Sequence, residues 1–440
     1  MEEIKNKSSK KLKILLLLSE SWNDLASPNN NLTNWFLDFA DIEIRTVSGS
    51  GLLPNNKCCK DYFLVGEKAM MKSLFSRKRV GEVYHYDDFP TNDRKNRKNG
   101  EISKRPKLFK ETTRLIRDIV WRFGKYDLKK LKTFIEEFKP DLIFSQRKGS
   151  IKMCRLERLV SKLTTAPMVA YTGDDEYSLR QFSLSPVFWI RRFWLRAWLK
   201  KNIPSYKLFY SQSERQMQEF EDKFSVPTKF LVKCGNFDLN RVHRRVNEPI
   251  EVVYAGKLYC NRWKSLSLLA KQIKRCNQDI GQVRVRLNIY TKDKITRKIN
   301  RQLNDRQNSF IHGSVSSQEL KEIYAKSDIA LHVEGFDLKN RLLTQDSFST
   351  KVMDCLASGC AVWAICWEKH AAGVYLKKND VAFVSNSVDE IKQTLNALKK
   401  DGCLTTEYAF KACEFGLKNH GRKVIQTQLM EDFNKVIGRC

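Results

Sequence analysis

The sequence lacks a long uninterrupted hydrophobic run. Its first apolar run, Ile14–Leu18, follows a polar, lysine-rich start and is far shorter than the roughly 18 residues of a membrane-spanning helix. The run is also too short for the core of a secretory signal. We therefore expect a cytoplasmic protein that is not integral to a membrane, with peripheral attachment to the inner face of the cell membrane left open.

Cysteine patterns that bind a structural metal are missing as well. None of the 12 cysteines forms a C-x-x-C pair, and the adjacent Cys58 and Cys59 have no histidine at a ligand spacing. Without an export signal, this cysteine content indicates free thiols in a reducing compartment. We expect the cysteines to be packing residues, and we expect no metal and no other cofactor.

Acidic residues are scarce relative to basic ones. The 440 residues include 80 Lys and Arg but 50 Asp and Glu, a formal net charge of +30. The partner should therefore be anionic: nucleic acid, acidic lipid headgroups or a pyrophosphate-bearing substrate. Basic residues are densest in Asp93–Lys110, where eight Lys or Arg accompany two acids. We predict a mobile loop there, serving either as a solvated surface or as a clamp on an anionic acceptor.

What is present is a regular alternation of apolar, strand-like runs with helical stretches. This alternation predicts the α/β class, with parallel sheets covered by helices on both faces. In the first half we expect helices over Glu111–Phe138 and Glu214–Phe224, the second opened by a capping box of Ser213 and Gln216. The predicted strands of this half are Leu12–Leu18, Ile42–Val47, Leu142–Ser145, Met168–Thr172, Leu208–Ser211 and Phe230–Val232.

A second α/β series begins after the linker Asn247–Pro249. Because 440 residues exceed the usual size of one hydrophobic core, this linker marks a domain boundary. We expect one Rossmann-like domain over residues 1–247, another over 248–418, and a C-terminal helix over 419–440 that packs back on the first domain. A helix is expected over Ser265–Cys276. The predicted strands are Glu251–Ala255, Val283–Tyr290, Ser309–His312, Ile329–Val333, Ala361–Ile365 and Val381–Val384.

Two turns of the second domain carry candidate binding residues, since open α/β sheets bind ligands at the carboxyl ends of their strands. In the first turn, Gly256 and Lys257 directly follow a strand, and two more cations, Arg262 and Lys264, come just downstream. A glycine there lets the backbone approach a phosphate closely, and the cations can neutralise a diphosphate.

The second turn opens a helix at Ser349 or Thr350, whose free N–H groups suit a phosphate. Lys351 and Asp354 then lie three residues apart on one face, giving a cation for phosphate and an acceptor for ribose hydroxyls. The helix ends in small residues, which lets the next strand pack tightly: Ala357, Ser358 and Gly359.

The run from Asp354 to Val362 resembles the donor-binding signature of the GT-B glycosyltransferases, in particular the retaining group-4 family. The preceding Ser-Thr-Lys resembles the version found in capsule and surface-polysaccharide transferases. The resemblance covers about residues 251–384 and implies the GT-B fold, with two Rossmann-like domains facing a cleft. It also implies a UDP- or GDP-linked sugar as donor, bound by the second domain, and an acceptor bound by the first.

The resemblance further implies roles for individual residues. The donor diphosphate would contact Lys257, Arg262 or Lys264, and the segment containing His312 and Val315 would read the nucleobase. Such transferases usually need no metal, and the Asp-x-Asp motif of metal-dependent transferases is missing at the strand ends.

In that family two acids flank the start of the donor helix, and the second contacts the ribose. Asp354 takes the second place, whereas the first stays open between Asp346, Glu334 and Asp337. Asp346 is therefore a catalytic candidate, and it fits equally well as a loop acid ahead of the helix.

The first domain contributes an acidic turn, Gly173–Tyr177, directly after a strand. Asp174 or Asp175 could orient an acceptor hydroxyl or act on its proton, and either could instead cap the helix that follows. If stereochemistry follows the family, configuration is retained without a strong base, and stabilisation of the leaving group carries most of the rate.

The segment Pro186–Lys201 combines tryptophan and basic residues with no acid. At helical spacing, Arg192, Arg196 and Lys200 share one side. The other side gathers Val187, Ile190, Trp194, Ala197 and Trp198. This composition is typical of a helix in a membrane interface, and it also fits a partly buried helix with a basic outer stripe.

The sequence therefore predicts a glycosyltransferase that moves a sugar, with retention, from a nucleoside-diphosphate sugar to a lipid-linked or polysaccharide acceptor, which an anionic membrane surface can hold. One alternative is a nucleotide-sugar epimerase of the same fold, which would act without an acceptor. The other is a nucleic-acid-binding protein. We expect no nucleic acid as partner, because no helix-turn-helix, zinc-finger or RNA-binding aromatic motif is found.

Overall fold

The structure is a computed structural model that describes residues 11–24, 30–49, 53–88, 110–242 and 246–439. The predicted basic loop Asp93–Lys110 lies outside these ranges except for its last residue. The chain forms two compact units. Unit 1 comprises Met1–Leu179, Ser183–Leu231 and Gln426–Cys440, and unit 2 comprises Arg180–Phe182 and Val232–Ile425. No described helix is both long and apolar enough to cross a bilayer.

Unit 1 is built on an eight-stranded sheet. Its strands are β1 (Leu12–Leu18), β2 (Ile42–Ser48), β3 (Asp61–Leu64), β4 (Glu82–His85), β5 (Leu142–Gln146), β6 (Met168–Thr172), β7 (Tyr206–Ser211) and β8 (Thr228–Phe230). The sheet order is β4-β3-β2-β1-β5-β6-β7-β8, and neighbouring strands are parallel except β3 and β4. Central strand β1 is buried because its leucines and isoleucine supply apolar side chains to both faces.

Two strands of this sheet are not predicted by the sequence, and one is misplaced. Strands β3 and β4 have four residues each, too few to show a clear alternation. The predicted strand Phe230–Val232 is wrong by two residues, because β8 ends at Phe230. The apolar Leu231 and Val232 are buried just beyond the strand, so burial rather than pairing explains their character.

The helices of unit 1 are α1 (Asn30–Phe36), α2 (Glu67–Ser73), α3 (Lys110–Phe123), α4 (Leu128–Phe138), α5 (Ile151–Val160), α6 (Pro186–Asn202) and α7 (Glu214–Phe224). The predicted single helix Glu111–Phe138 is wrong, because the chain breaks after α3 at Gly124. This glycine packs so closely that a Cβ atom would lie 2.1 Å from Sδ of Met70. Asp127 then caps α4 by accepting a hydrogen bond from the Lys130 backbone N–H at 3.1 Å.

Unit 2 is built on a six-stranded parallel sheet. Its strands are β9 (Ile250–Ala255), β10 (Val285–Tyr290), β11 (Ser309–His312), β12 (Ile329–Val333), β13 (Ala361–Ile365) and β14 (Phe383–Ser385). The sheet order is β11-β10-β9-β12-β13-β14. From β9 to β11, each successive strand is added toward one edge of the sheet. From β12 to β14, each is added toward the other edge, so the strand order reverses between β9 and β12.

The helices of unit 2 are α8 (Arg262–Ile280), α9 (Arg297–Leu303), α10 (Ser317–Tyr324), α11 (Leu338–Thr344), α12 (Thr350–Leu356), α13 (Ala371–Lys378), α14 (Val388–Lys400) and α15 (Leu404–His420). Apolar side chains of α8 and α14 pack with those of β9, β10, β12 and β13 in one buried cluster. The sequence begins α8 at Ser265, whereas the structure begins it three residues earlier.

The C-terminal helix α16 (Arg422–Ile437) supplies Asp432 to unit 1. The hydroxyl of Tyr210 donates to Asp432 Oδ2 at 2.7 Å, and Lys229 forms an ion pair with the same carboxylate. The neighbouring Phe433 ring lies edge-on to Phe144 at 6.0 Å between centroids. Asp432 is buried, so these two partners offset the cost of removing its charge from water.

Candidate functional site

The carboxyl ends of β9 and β12 lie side by side in the unit 2 sheet. The two strands are parallel, with Ile329 opposite Val252. Gly256 directly follows β9, and Glu334 directly follows β12. Open α/β sheets bind ligands just outside the strand ends at the point where strand order reverses. These two predicted donor residues therefore stand where this fold class holds its ligands.

Arg262 and Glu334 form a bidentate, buried ion pair at this point. Arg262 Nε donates to Glu334 Oε2 at 3.1 Å, and Nη2 donates to Oε1 at 2.6 Å. The Glu334 backbone oxygen accepts a hydrogen bond from Ser265 Oγ at 2.7 Å. Although burial opposes it, the Glu334 charge holds the pKa of Arg262 above its usual range. Glu334 thus acts on any ligand here through the guanidinium that it fixes.

Lys351 of α12 brings a second cation to the same strand end. Its ammonium lies against Gly256, since a Cβ atom at position 256 would be 1.7 Å from Lys351 Nζ. The ammonium is also 5.5 Å from the centroid of the Tyr254 ring. Within the described ranges, Lys351 Nζ has no ion-pair partner and donates no hydrogen bond. Burial, and then the charge of Arg262, lowers the pKa of Lys351 to about 8.

The charge at this point favours an anion over a metal cation. His332, Glu334 and His370 place potential ligand atoms within 4.8 Å of one another. Arg262, however, already engages both carboxylate oxygens of Glu334. Burial, together with His370, Arg262 and Lys351, holds the pKa of His332 far below its usual range. The positive charges that keep this imidazole neutral also oppose a metal ion, so the cluster fits a phosphate better.

A stacked pair of rings lies at the carboxyl ends of β10 and β11. The Tyr290 and His312 rings are 4.5 Å apart between centroids and only 15° from parallel. His312 Nε2 lies 3.0 Å from Asn288 Oδ1, and burial lowers the pKa of His312. Val315 follows in the next turn and is half-buried. A neutral, half-exposed ring pair at the same sheet edge as the cations offers a surface on which a nucleobase can stack.

Helix α12 begins where the sequence predicts. Ser349 is its N-cap, with a hydroxyl that accepts from the Lys351 backbone N–H at 3.4 Å, and Thr350 is exposed. After the helix, Gly359 adopts a φ of 85°, and a Cβ atom there would lie 2.2 Å from the backbone oxygen of Arg241. The glycine that ends α12 therefore allows close packing, but against the backbone of Arg241 and not against the next strand.

The three acids near α12 have different surroundings. Asp354 is half exposed and pairs with Lys233, with 2.6 Å between Oδ1 and Nζ. Asp346 is buried, and its Oδ2 lies 3.9 Å from Arg180 Nη2. Asp337 caps α11 and accepts from the backbone of that helix. Of the three, Asp354 is the carboxylate that a ribose can most readily reach, because solvent already does.

The other two predicted cations differ in their relation to Arg262. Lys257 is exposed, with its ammonium 5.8 Å from the Tyr259 ring centroid, and the Arg262 guanidinium carbon lies 4.7 Å from the centroid of the same ring. Lys264 is roughly 200° around α8 from Arg262 and lines a separate cavity of about 640 Å³. The other side chains lining that cavity include Asn261, Trp263, Ser267, Lys271, Lys298 and Gln302. The structure therefore keeps Lys257 close to Arg262 but turns Lys264 to another side of α8.

Sequence reasoning assigned no role to Tyr254, Tyr290 or Lys233. The Tyr254 hydroxyl donates to the Lys257 backbone oxygen at 2.6 Å, which fixes the turn that carries Gly256. Both tyrosines stand at the carboxyl end of a predicted strand, so their position was a usable signal. The pairing of Lys233 with Asp354 gave none, because the two residues are 121 positions apart.

In unit 1 the acidic turn after β6 is anchored by a buried ionic network. Arg147 pairs with Glu176 of the turn, with 3.0 Å between Nε and Oε2, and also with Glu157 of α5. The Tyr206 hydroxyl donates to Glu157 Oε2 at 2.8 Å. All three charged side chains are at most 3% exposed. Because breaking a buried pair leaves an uncompensated charge, this network fixes the turn in place.

The two aspartates of that turn differ in their contacts. Asp175 Oδ1 accepts from the Ser178 backbone N–H at 2.8 Å and from Arg192 Nη2 at 3.0 Å. The Asp174 carboxylate, in contrast, has no hydrogen-bond or ion-pair partner in the part of the chain that the structure describes. Solvent reaches this side chain. Even so, desolvation by the surrounding protein and the charge of Asp175 raise the pKa of Asp174, and the charge of Lys148 only partly opposes this shift. Asp174 is thus the carboxylate available to a substrate.

No protein-family model and no curated protein sequence matches the chain. Solved structures are similar over nearly its whole length. The HepE protein of Anabaena in complex with UDP is 13% identical, with a TM-score of 0.61 over 96% of this chain and 100% of that one. Sucrose-phosphate synthase from Thermosynechococcus elongatus is 9% identical, with a TM-score of 0.60 over 98% and 100%. Trehalose 6-phosphate synthase from Burkholderia multivorans is 11% identical, with a TM-score of 0.57 over 98% and 99%. This likeness confirms the predicted fold, the GT-B type with two parallel-sheet α/β units.

Proposed function

We propose that this protein is a glycosyltransferase that uses a UDP- or GDP-linked sugar as donor. The observation that carries the proposal is the Lys351 ammonium, which has no partner among the described residues and is held against Gly256 at the strand-order reversal of unit 2. The proposal is supported by the fold, which is shared with a protein solved in complex with UDP and with the two named synthases. It is also supported by the match of residues 354–362 to the donor signature of group-4 transferases.

In this proposal, unit 2 binds the nucleoside diphosphate. Lys351 and Arg262 contact the diphosphate, and Gly256 lets the backbone approach it. The ribose hydroxyls bind Asp354, and the base stacks near Tyr290 and His312. As the glycosidic bond to the diphosphate breaks, negative charge grows on the leaving oxygen, and the two fixed cations stabilise that charge. These cations serve the purpose for which other transferases use a metal ion.

Unit 1 is proposed to bind the acceptor, a lipid-linked or polymeric glycan. Asp174 orients the acceptor hydroxyl or takes its proton, because its carboxylate has no other partner in the described part of the chain and its pKa is raised. Asp175 positions the turn through its contacts with Ser178 and Arg192. We further propose that the anomeric configuration is retained, as in the group-4 family.

The direct test is a donor panel. Purified protein is incubated with radiolabelled UDP- and GDP-sugars and with membranes that carry lipid-linked acceptors, and label in the glycan fraction is measured together with released nucleoside diphosphate. Transfer from one nucleotide class, lost in Lys351→Ala, supports the proposal. No turnover of any nucleotide sugar contradicts it, as does conversion of a donor to an isomeric sugar without any acceptor.

A further inference from the structure

We infer that an apolar surface on two neighbouring helices of unit 1 docks the protein on an anionic lipid bilayer. Five large apolar side chains there are between 40% and 61% exposed. They are Ile116, Ile119 and Phe123 on α3, and Ile190 and Phe193 on α6. We refer to these five residues as the α3–α6 surface. Soluble proteins seldom expose such a group of large side chains without a partner.

The two sets of side chains are adjacent because α3 and α6 pack together. Asp118 of α3 accepts from Arg191 Nε of α6 at 2.5 Å. Ile119 follows Asp118 on α3, and Ile190 precedes Arg191 on α6. Each isoleucine is exposed and lies roughly 100° around its helix from that neighbouring charged residue. On the opposite flank, Leu195 of α6 turns into the core, as does Trp121 of α3. Both apolar stripes therefore border the same outward side of the contact between the helices.

Charge around the α3–α6 surface complements an anionic partner. The two acids of α3 are already paired, Glu111 with Arg114 at 2.6 Å and Asp118 with Arg191. Helix α6 has no acid and ends in Lys200 and Lys201. Two further basic side chains of unit 1 stack on one ring: the guanidinium carbons of Arg122 and Arg158 lie 5.3 and 5.6 Å from the Trp198 ring centroid.

Shallow insertion of apolar side chains, combined with cations that attract acidic headgroups, is how proteins bind a bilayer interface without crossing it. An apolar protein partner would complement the isoleucines and phenylalanines but would provide no negative charge for these cations. The bilayer is therefore the occupant that satisfies both features of the surface.

The structure changes how α6 meets that bilayer. From the sequence, Arg192 and Arg196 belong to a basic side that could face lipid. Instead, Arg192 Nε donates to the Ser178 backbone oxygen at 2.9 Å, and the Arg196 guanidinium lies 4.0 Å from the Tyr177 ring centroid. These arginines hold the acidic turn that carries Asp174, so the helix that contacts lipid also positions the proposed acceptor residue. This link between docking and acceptor rests on the function proposed above, whereas the docking itself does not.

The test is flotation with vesicles of phosphatidylglycerol and phosphatidylcholine, against vesicles of phosphatidylcholine alone. The variant is Phe123→Ser combined with Phe193→Ser. The matched control is Phe410→Ser, which removes a 48% exposed phenylalanine from α15 in unit 2. We expect wild type and control to float with anionic vesicles. The double variant should have a vesicle affinity at least roughly tenfold lower, because apolar area that the bilayer would bury is lost. High salt should weaken binding of all three proteins.

Three results would overturn the inference. Wild type could fail to float with anionic vesicles, or the double variant could bind as wild type does. Size-exclusion chromatography could also reveal a wild-type dimer that the double variant abolishes, which would assign the surface to a second copy of the chain. UDP and GDP binding, measured on the same proteins, separates this inference from the proposed function. Flotation without nucleotide binding supports bilayer docking and contradicts the proposed glycosyltransferase function. Nucleotide binding without flotation contradicts bilayer docking and supports the proposed function.

Discussion

The ammonium of Lys351 occupies the space that a side chain at Gly256 would need. A Cβ atom at position 256 would lie 1.7 Å from Nζ and 3.0 Å from Cε of that lysine. One residue follows β9 and the other belongs to α12, so the contact joins two turns that are far apart in the sequence. The absence of a side chain at position 256 and the presence of a cation at position 351 are thus one feature of the proposed diphosphate site.

Gly256→Ala should weaken nucleotide binding with little loss of stability. The backbone at Gly256 is outside the left-handed region, so alanine is not strained there. The methyl group must nevertheless push the flexible end of Lys351 away from its place. We expect UDP or GDP affinity to fall about tenfold or more, because a charge-assisted contact is lost, while the thermal midpoint changes little.

The matched control for this glycine is Gly66→Ala in unit 1, whose new Cβ would meet only the Ala69 Cβ, at 3.8 Å. It should leave nucleotide affinity unchanged in the same titration. Wild-type affinity in Gly256→Ala would show that the Lys351 ammonium does not contact the nucleotide.

Nucleotide affinity should fall as pH rises through about 8. Burial and the Arg262 charge lower the pKa of Lys351 to about 8, so the lysine is charged below that pH and neutral above it. The charge of a nucleoside diphosphate hardly changes in this range, since the last phosphate proton is lost near pH 6. Fluorescence or calorimetric titration between pH 7 and 9.5 measures the effect. In Lys351→Arg the guanidinium stays charged, so the profile should be flat, and an equally steep fall in this variant would assign the titration to another group.

Removing Glu334 should cost far more stability than removing an exposed acid. Glu334→Ala leaves the Arg262 guanidinium buried without its carboxylate, and loss of one partner of such a pair typically lowers the free energy of unfolding by about 3–5 kcal/mol. The control is Glu136→Ala, which breaks an exposed pair with Lys132 and should cost about 0.5 kcal/mol or less. Urea denaturation measures both, and similar values for the two variants would contradict the buried pair.

The two aspartates of the acidic turn should separate activity from stability. Asp174→Asn removes a carboxylate with no partner in the described ranges, so unfolding should hardly change while turnover falls roughly 100-fold or more. Asp175→Asn weakens the contacts with Ser178 and Arg192, and we expect a loss of about 1.5–3 kcal/mol in unfolding free energy. Turnover and chemical denaturation of both variants test the division, and the opposite pattern would exchange their roles.

Local pattern predicted the sheets and the start of α12, because buried strands and capped helices depend on neighbouring residues. Ser349, Lys351 and Asp354 stand on that helix as expected. What the sequence could not supply was the direction of side chains in α8. Placing its start at Ser265 grouped Arg262 with Lys264, whereas a helix that starts at Arg262 turns the two side chains to opposite sides.

Pairings between distant residues were equally hidden. Glu334 is 72 residues from Arg262, and Arg147 is 29 residues from Glu176, so no local spacing connects either pair. The sequence therefore left Glu334 as an open candidate for donor contact, and only the folded chain assigns its carboxylate to Arg262.

The most direct measurement of the central claim is calorimetric titration of UDP and of GDP into wild type, Lys351→Ala and Asp354→Ala, with Lys392→Ala as a control from an exposed pair with Asp389. The account predicts that wild type and the control bind one of the two nucleotides. Both site variants should lose at least about tenfold in affinity for that nucleotide. All four proteins should unfold at similar temperatures. Unchanged affinity in both site variants would contradict the account, as would the failure of wild type to bind either nucleotide.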